Sequence, residues 1–286
     1  MQYKAAMFDF DGTITEKGQY YPSKEMVDTL VQLSQIMPIG FCTGRQLESF
    51  ERHGLDEILQ QIDPSKQEKF LENLYLFAEN GAVGYDFNIG QNKFEEFYRV
   101  SWPKQFIERE ELKTRINEAV IDYGDIYENA HRVVIVIRTK LHDVDNRDIN
   151  EVYKLSEKIY EVSINTLKNI SPDYEKYLHV GNSGIGVIIG PADGDKDHGI
   201  IEFARILKER RNFEFNDKLR EIIVFGDSGH IGGNDHFFLK GEVGSAYSVG
   251  EFYNKNSYPK PVIDSNGKRL LHATGTMHFL NREIIK

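Results

Sequence analysis

The sequence is poor in cysteine and has fewer basic than acidic residues. Cys42 is the single cysteine among 286 residues, which excludes an intrachain disulfide and a cysteine-based zinc site. Since a chain without disulfides suits a reducing compartment, we expect a cytoplasmic protein. The formal net charge of −10 argues against nucleic acid or an anionic membrane surface as the main partner. This net charge is compatible with a small anionic ligand. The composition leaves the oligomeric state open.

Long apolar runs are also missing. The strongest run, residues 133–137, is closed by Arg132 and Arg138 and has the length of a strand, whereas a membrane-spanning helix needs about 20 apolar residues. The first ten residues lead directly into a motif, so we expect no signal peptide there. Hydrophobic residues make up 40% of the chain and charged residues 28%, which is typical of a globular protein and not of a disordered chain.

Both ends of the sequence alternate short apolar strands with helices. Five strands are predicted in these parts, at residues 4–10, 36–41, 74–78, 221–225 and 244–249. Such alternation predicts an α/β fold, with a Rossmann-like, doubly wound parallel sheet covered by helices on both faces. The turn-rich stretch 253–269 receives no assignment.

The middle of the chain has longer, polar-faced helices and antiparallel strand signals. The predicted elements are strands at 94–100 and 131–139, helices at 108–121 and 148–168, and a hairpin within 177–189. We interpret residues 86–189 as an α+β cap that is inserted into a core formed by residues 1–85 and 190–286.

Four short segments place polar side chains directly after predicted strands or at a helix start. They contain Asp9 and Asp11, then Thr43, Gly44 and Arg45, then Lys196, and finally Asp227, Asn234 and Asp235 in a glycine-rich loop. In an open parallel sheet, ligands bind at the carboxyl ends of the strands. Each segment alone is also typical of a turn, a helix cap, a solvated lysine or a flexible acidic loop, but their combination in this order favours one shared site.

The residue types in these segments suit a phosphoryl group and a divalent cation. Carboxylate oxygens are the ligands that Mg²⁺ prefers. The hydroxyl and backbone amides at residues 43–44 can hold a phosphoryl oxygen. A lysine in the first turn of a helix opposes the helix dipole, and that arrangement makes sense when the ammonium faces anions.

The segments FDFDGTIT, CTGR, DK and GDSGHIGGND resemble the four motifs of the haloacid dehalogenase superfamily of phosphotransferases. The resemblance covers residues 3–82 and 190–250. The insertion lies where the sugar-phosphatase branch carries its large cap, a branch that also holds sucrose-phosphate and trehalose-phosphate phosphatases and phosphomannomutases. It implies a Mg²⁺-dependent enzyme that acts on a small phosphorylated metabolite.

The resemblance also implies roles for the acidic residues. Asp9 is the expected nucleophile, which becomes an aspartyl phosphate, and it is also a metal ligand. Asp11 is expected to protonate the leaving oxygen, to activate water afterwards, and to bind Mg²⁺ through its backbone carbonyl. Asp227 completes the protein's metal ligands, and Asp235 is expected beside them as a direct or an outer-shell partner.

The remaining motif residues are expected to bind the substrate. Thr43, Gly44 and Lys196 would hold the phosphoryl oxygens, and Asn234 would contact the phosphate or fix the lysine. Arg45 is a candidate substrate contact, with surface charge at a helix start as the plain alternative.

Two motifs point to different branches of the superfamily. The long loop between Asp227 and Asp235 resembles that of phosphomannomutases, whereas CTGR resembles the phosphatases. The arginine-rich cap signature of the mutases is not evident. We therefore favour a phosphatase that acts on a sugar phosphate. A phosphohexomutase with the same aspartyl phosphate is the first alternative, and a non-catalytic module that binds a phosphorylated metabolite is the second.

Overall fold

The computed structural model describes residues 2–127 and 132–285, and its strands form two sheets. The large sheet contains β1 (Ala5–Phe8), β2 (Ile39–Cys42), β3 (Leu74–Ala78), β4 (Val83–Asn88), β5 (Lys93–Arg99), β10 (Ile222–Gly226), β11 (Ser245–Ser248) and β12 (Lys260–Pro261). The small sheet contains β6 (Gly124–Ile126), β7 (Ile135–Thr139), β8 (Leu178–Asn182) and β9 (Gly186–Pro191).

Helices connect these strands. Their bounds are α1 (Lys24–Ser34), α2 (Leu47–Phe50), α3 (Asp56–Leu59), α4 (Pro64–Glu72), α5 (Arg109–Val120), α6 (Ile149–Ile170), α7 (Lys196–Arg211), α8 (His236–Leu239) and α9 (His272–Leu280). Ser23 caps α1 by accepting a hydrogen bond from the Met26 amide, as its position before an apolar helix face predicts. None of the helices described combines the length with the hydropathy that a membrane-spanning segment requires.

The large sheet confirms the predicted α/β class. Its order is β12-β11-β10-β1-β2-β3-β4-β5, and the six strands from β12 to β3 run parallel. Strand β1 lies at the centre, with Phe8 opposite Phe225 of β10 and Phe41 of β2. The carboxyl ends of these three strands therefore meet at one edge of the sheet.

Alternate residues of β1 face the two layers of helices. Ala6 and Phe8 pack with the apolar faces of α1, α4 and α9, whereas Ala5 and Met7 pack with those of α7 and α8. All four residues are buried, so the strand has no solvated face. This is the burial expected of a parallel sheet with helices on both sides.

Strand β5 differs from its expected place. The strand predicted at 94–100 falls within the expected cap, residues 86–189. In the structure it extends the large sheet as the outer member of an antiparallel β4–β5 hairpin. Pairing of this kind depends on which sheet edge is open, a property of the folded molecule rather than of local sequence. The division into core and cap stays a prediction, but its boundary at residue 86 falls inside β4.

The small sheet packs against α5 and α6, and these elements together are termed the small-sheet unit. Val187 and Ile189 of β9 point to the helices, while Ile188 between them packs into the apolar layer of the large sheet. The period of two in a strand places the two sets on opposite faces. The strand predicted at 131–139 begins at Ile135, and His131 lies outside the described residues.

Candidate active site

Three carboxylates converge at the carboxyl ends of β1 and β10. Asp9 follows β1 and Asp227 follows β10, and the Asp9 amide donates to the Phe225 carbonyl across the two strands at 2.8 Å. Asp235 returns to the same place at the end of the glycine-rich loop. One oxygen from each of the three carboxylates lies within 4.8 Å of the others. The predicted meeting of the first and fourth motifs is therefore present in the structure.

Lys196 lies between two of these carboxylates. Its Nζ donates to Asp9 Oδ1 and to Asp235 Oδ1, each at 2.6 Å, and its side chain is only 1% exposed. Burial alone lowers the pKa of a lysine, but Asp235 and Asp9 outweigh it and raise the pKa of Lys196 above its usual range. The residue is therefore a fixed cation that stands directly beside Asp9.

One ammonium does not balance the acidic cluster. Burial, followed by repulsion from Asp235, raises the pKa of Asp9 well above its usual value and the pKa of Asp227 to about 7. Such pKa values indicate a place where further positive charge is stabilising, and oxygen-only donors suit a hard divalent cation. Gly12 leaves the needed room, because a Cβ at this position would lie 2.5 Å from Asp227 Oδ2.

Asp235 already has partners on both of its oxygens. Oδ1 accepts from Lys196, and Oδ2 accepts from the backbone amides of Asp227 and Ser228 at 3.0 Å each. The side chain is 1% exposed. Asp235 therefore fixes both the lysine and the start of its own loop, whichever place it takes toward a metal ion.

Asp11 stands apart from the buried cluster. Its carboxylate is 53% exposed and forms a two-point ion pair with Arg45, at 2.5 Å to Nη2 and 3.1 Å to Nε. Arg45 also donates to the His53 carbonyl at 2.6 Å and lies over the Phe10 ring. The structure thus joins two predicted site residues directly, and the Asp11 carboxylate is not among the three carboxylates that could hold a metal ion.

The second motif forms a buried wall next to the small sheet. Thr43 is 1% exposed, and its Oγ1 accepts from the Arg45 amide at 3.2 Å. A Cβ on Gly44 would lie 2.6 Å from Cδ1 of Ile188, so that strand β9 rests directly on this loop. Among the described residues, no group donates to the buried side-chain Oδ1 of Asn234, so this acceptor is available to a donor group.

Three further residues support the site: Glu79 and His272 were not singled out from the sequence, whereas Asn182 lies in the turn of the hairpin predicted within 177–189. Glu79, which is 3% exposed, accepts from the backbone amides of Val133 and Val134 at 2.7 and 3.2 Å. His272 donates from Nδ1 to the Gly12 carbonyl at 2.9 Å. Asn182 carries a backbone contact to the glycine-rich loop. For Glu79, the available signal was the Glu79-Asn80-Gly81 turn at the end of β3.

Comparisons with known proteins agree with this fold and site. No family model matches the chain. A phosphomannomutase of Saccharomyces cerevisiae is 24% identical over 260 residues, which cover 85% of this chain and 87% of the relative.

Two solved structures share the fold. The trehalose-6-phosphate phosphatase C-terminal domain of Candida albicans has a TM-score of 0.58 at 14% identity, covering 98% of this chain and 92% of that one. The IMP-bound IMP-nucleotidase of Plasmodium falciparum has a TM-score of 0.57 at 15% identity, covering 82% of this chain and 62% of that longer chain.

These relatives agree with the resemblance to the haloacid dehalogenase superfamily that the four motifs carry. They support an enzyme of phosphoryl transfer as the class. They do not separate a hydrolase from a mutase, since the relative by sequence is a mutase and the fold neighbours are a phosphatase and a nucleotidase.

Proposed function

We propose that the protein is a Mg²⁺-dependent phosphatase that hydrolyses a small phosphorylated metabolite, a sugar phosphate, through an aspartyl phosphate on Asp9. The observation that carries this proposal is the position of Lys196, which is buried between Asp9 and Asp235. A carboxylate oxygen of Asp227 lies within 4.8 Å of oxygens of both acids, close enough for one cation to bind them together. An attacking carboxylate, a fixed ammonium and a site for a cation are the parts that phosphoryl transfer needs. The buried single cysteine supports a reducing compartment such as the cytoplasm.

The chain's own residues account for both half-reactions. In the first, an Asp9 oxygen forms a bond to phosphorus while the ester P–O bond breaks, and Asp11 gives its proton to the leaving oxygen. In the second, Asp11 takes a proton from water, the water oxygen bonds to phosphorus, and the Asp9–phosphorus bond breaks. Thr43, Lys196 and Asn234 hold the phosphoryl oxygens during both steps.

The metal would be held by Asp9 and Asp227, with the Asp11 backbone carbonyl as the family's further ligand. When bound, Mg²⁺ supplies charge neutralisation for the phosphoryl oxygens. Asp235 has both oxygens engaged by Lys196 and loop amides, which favours an outer-shell place for it. Asp11 has to exchange its ion pair with Arg45 for the leaving oxygen before it acts as an acid, because both of its oxygens accept hydrogen bonds from the guanidinium.

Two observations favour hydrolysis over isomerisation. Asp11 is more than half exposed, so water reaches the residue that would activate it. A mutase must also hold the second phosphate of a bisphosphate. Three arginines of the small-sheet unit already pair with acids of that same unit: Arg109, Arg115 and Arg138.

A phosphohexomutase is the second candidate. The phosphomannomutase relative covers most of the chain, and the long loop between Asp227 and Asp235 resembles that family. A mutase returns the phosphoryl group from Asp9 to another hydroxyl of the sugar, so it interconverts isomers without releasing phosphate. A hexose bisphosphate would then activate the reaction.

The deciding experiment is a panel of several dozen metabolite phosphates with Mg²⁺, in which released phosphate and isomeric sugar phosphates are both measured. The control is Asp9→Asn, which keeps the size of the side chain and removes the nucleophile. The proposal predicts phosphate release that needs Mg²⁺ and falls at least about a thousandfold in Asp9→Asn. Isomerisation without release would select the mutase. Tight, metal-dependent ligand binding without any turnover would select a non-catalytic module.

A further inference from the structure

The loop from Asp227 to Asp235, termed the fourth-motif loop, is completed by a backbone contact from the small sheet. The Asn182 amide donates to the Gly232 carbonyl at 2.8 Å, and the Asn234 amide donates to the Asn182 carbonyl at 3.0 Å. The two bonds form a parallel bridge between Asn182 and Gly233. The end of β8 therefore acts as an added strand for the part of the loop that carries Asn234.

The loop needs such support because its own sequence specifies little. It contains Gly229, Gly232 and Gly233, and Ile231 at its tip is 84% exposed. Glycine has the largest loss of conformational freedom on ordering. Asp235 is fixed independently by Lys196, but Asn234 precedes it and has no side-chain partner on Oδ1. Within the loop, the amides of Gly233 and Asp235 donate to the carbonyls of His230 and Ser228 at 2.9 and 3.1 Å, and the bridge to Asn182 adds the hold on Asn234 from outside the loop.

Asn182 is itself held rigidly from helix α6. It is 4% exposed, and its Oδ1 accepts from Ser156 Oγ at 2.6 Å and from the Gly184 amide at 2.8 Å. Its Nδ2 donates to Glu157 Oε1 at 3.0 Å. With each side-chain hydrogen-bonding atom engaged, the side chain determines the direction in which the residue's backbone amide and carbonyl point.

We propose that Asn182 is a positioning residue, which holds the phosphate-contacting Asn234 in place from the small sheet, so that the site is complete only when the small-sheet unit is docked. The proposal rests on the proposed function in one respect, namely the contact between Asn234 and phosphate. Neighbouring Gly181 supports it, because a Cβ there would lie 3.0 Å from Asn234 Oδ1 and 3.3 Å from its Cα. The strand end and the loop are therefore in direct packing contact.

The first test compares Asn182→Ala with Ser183→Ala. Ser183 is the matched control because it follows Asn182 in the same turn and its hydroxyl donates only within the hairpin, to Gly186. In Asn182→Ala we expect hydrogen exchange of the amides at residues 232–234 to accelerate at least about tenfold. Affinity for inorganic phosphate with Mg²⁺ and kcat should fall by about tenfold to a hundredfold, because small displacements of a binding group have effects of that size. Ser183→Ala should match the wild type in all three measurements.

The second test is a rescue that a general loss of stability would not produce. Asn182→Asp places a carboxylate against Glu157 and should lose as much phosphate affinity as Asn182→Ala. Adding Glu157→Gln supplies an amide donor to the new carboxylate and should restore affinity to within about threefold of the wild type. Glu157→Gln alone should stay near the wild type, since its amide oxygen still accepts from Asn182.

The outcomes separate this proposal from the proposed function. Unchanged exchange at residues 232–234 in Asn182→Ala would overturn the positioning role, as would faster exchange with unaltered phosphate affinity or a double variant without recovery. If the wild type turns over no phosphorylated compound, the proposed function fails. The exchange and phosphate-binding measurements then still decide whether Asn182 positions the loop.

Discussion

The large sheet and the small-sheet unit meet at the site with different kinds of groups. The large sheet contributes buried charges, namely Asp9, Asp227, and Lys196 at the start of α7. The small sheet contributes an apolar side chain, Ile188, and the backbone of Asn182. The comparison indicates that one part of the molecule supplies the chemistry, while the other supplies shape and placement.

The two parts also differ in how their charges are balanced. In the small-sheet unit, arginines form ion pairs with acids nearby in the chain or donate to backbone carbonyls. Arg138, for example, pairs with Asp143. At the edge of the large sheet, three carboxylates share one lysine, and burial raises the pKa values of Asp9 and Asp227. An imbalance of charge at a buried place is typical of a functional site rather than of a purely structural one.

The largest effect is expected when the buried cation is removed from the large sheet. Lys196→Met leaves Asp9 and Asp235 facing each other without a counter-charge. We expect a loss of about 3 to 5 kcal/mol in the free energy of unfolding and loss of measurable turnover. Urea unfolding and phosphate release check both. Lys208→Met on the exposed side of the same helix is the control, and an equal effect of the two substitutions would contradict the comparison.

A divalent cation should stabilise the large sheet through the same cluster. At 100 times its dissociation constant, Mg²⁺ should add about 2.7 kcal/mol to the free energy of unfolding, because it binds the folded state only. The shift in Tm with and without Mg²⁺ measures this, and chelation should reverse it. In Asp227→Asn the shift should become much smaller. A Mg²⁺-dependent shift that persists in that variant would place the ion elsewhere.

A substitution at the contact between the two parts should affect stability less than the loss of Lys196. Glu79→Ala leaves the buried amides of Val133 and Val134 without an acceptor, which is expected to cost about 1 to 3 kcal/mol. Glu79→Gln keeps an acceptor oxygen and should lose less than half of that amount. Urea unfolding together with hydrogen exchange at residues 132–135 gives the comparison. Similar losses in both variants would mean that the charge, and not the acceptor, matters here.

The smallest effect is a dependence of stability on pH at the second residue of α7. Burial, followed by repulsion from Asp195, raises the pKa of Asp197 to about 8, and its Oδ1 has no hydrogen-bond partner in the described part of the chain. The folded state therefore holds a proton that the unfolded state releases near pH 4. The resulting stability is fully present below pH 4 and is lost as pH rises toward 8.

Asp197→Asn removes this dependence. Its free energy of unfolding should exceed that of the wild type by at least about 1 kcal/mol at pH 8 and should differ little at pH 4. Thermal or urea unfolding at both pH values measures the difference. A gain of the same size at both pH values would show that the substitution acts through packing rather than through the proton.

The charged residues at the edge of the large sheet could be predicted from the sequence better than the number of strands in that sheet. Local patterns mark the strand ends and the helix start that meet at one edge of the sheet. The residues at these points form the cluster: Asp9, Lys196, Asp227 and Asp235. The pairing of β5 with β4 in the large sheet was not predicted, because antiparallel addition to an open edge leaves no local signature.

The roles of the supporting residues could not be predicted from the sequence for a related reason. Glu79, Asn182 and His272 act on backbone amides and carbonyls of distant segments. A backbone group is the same at every position of the chain, so no pattern of side chains marks the partner. The pairing of Asp11 with Arg45 likewise depends on how two loops approach each other, not on the content of either motif.

The contact between Gly44 and Ile188 has a consequence for access to the site. The branched tip of Ile188 occupies the volume that any larger residue at position 44 would fill. A methyl group at position 44 would force this side-chain tip to shift, because it would lie 2.6 Å from Ile188 Cδ1. The close approach of strand β9 to the loop after β2 therefore uses the absence of a side chain at position 44.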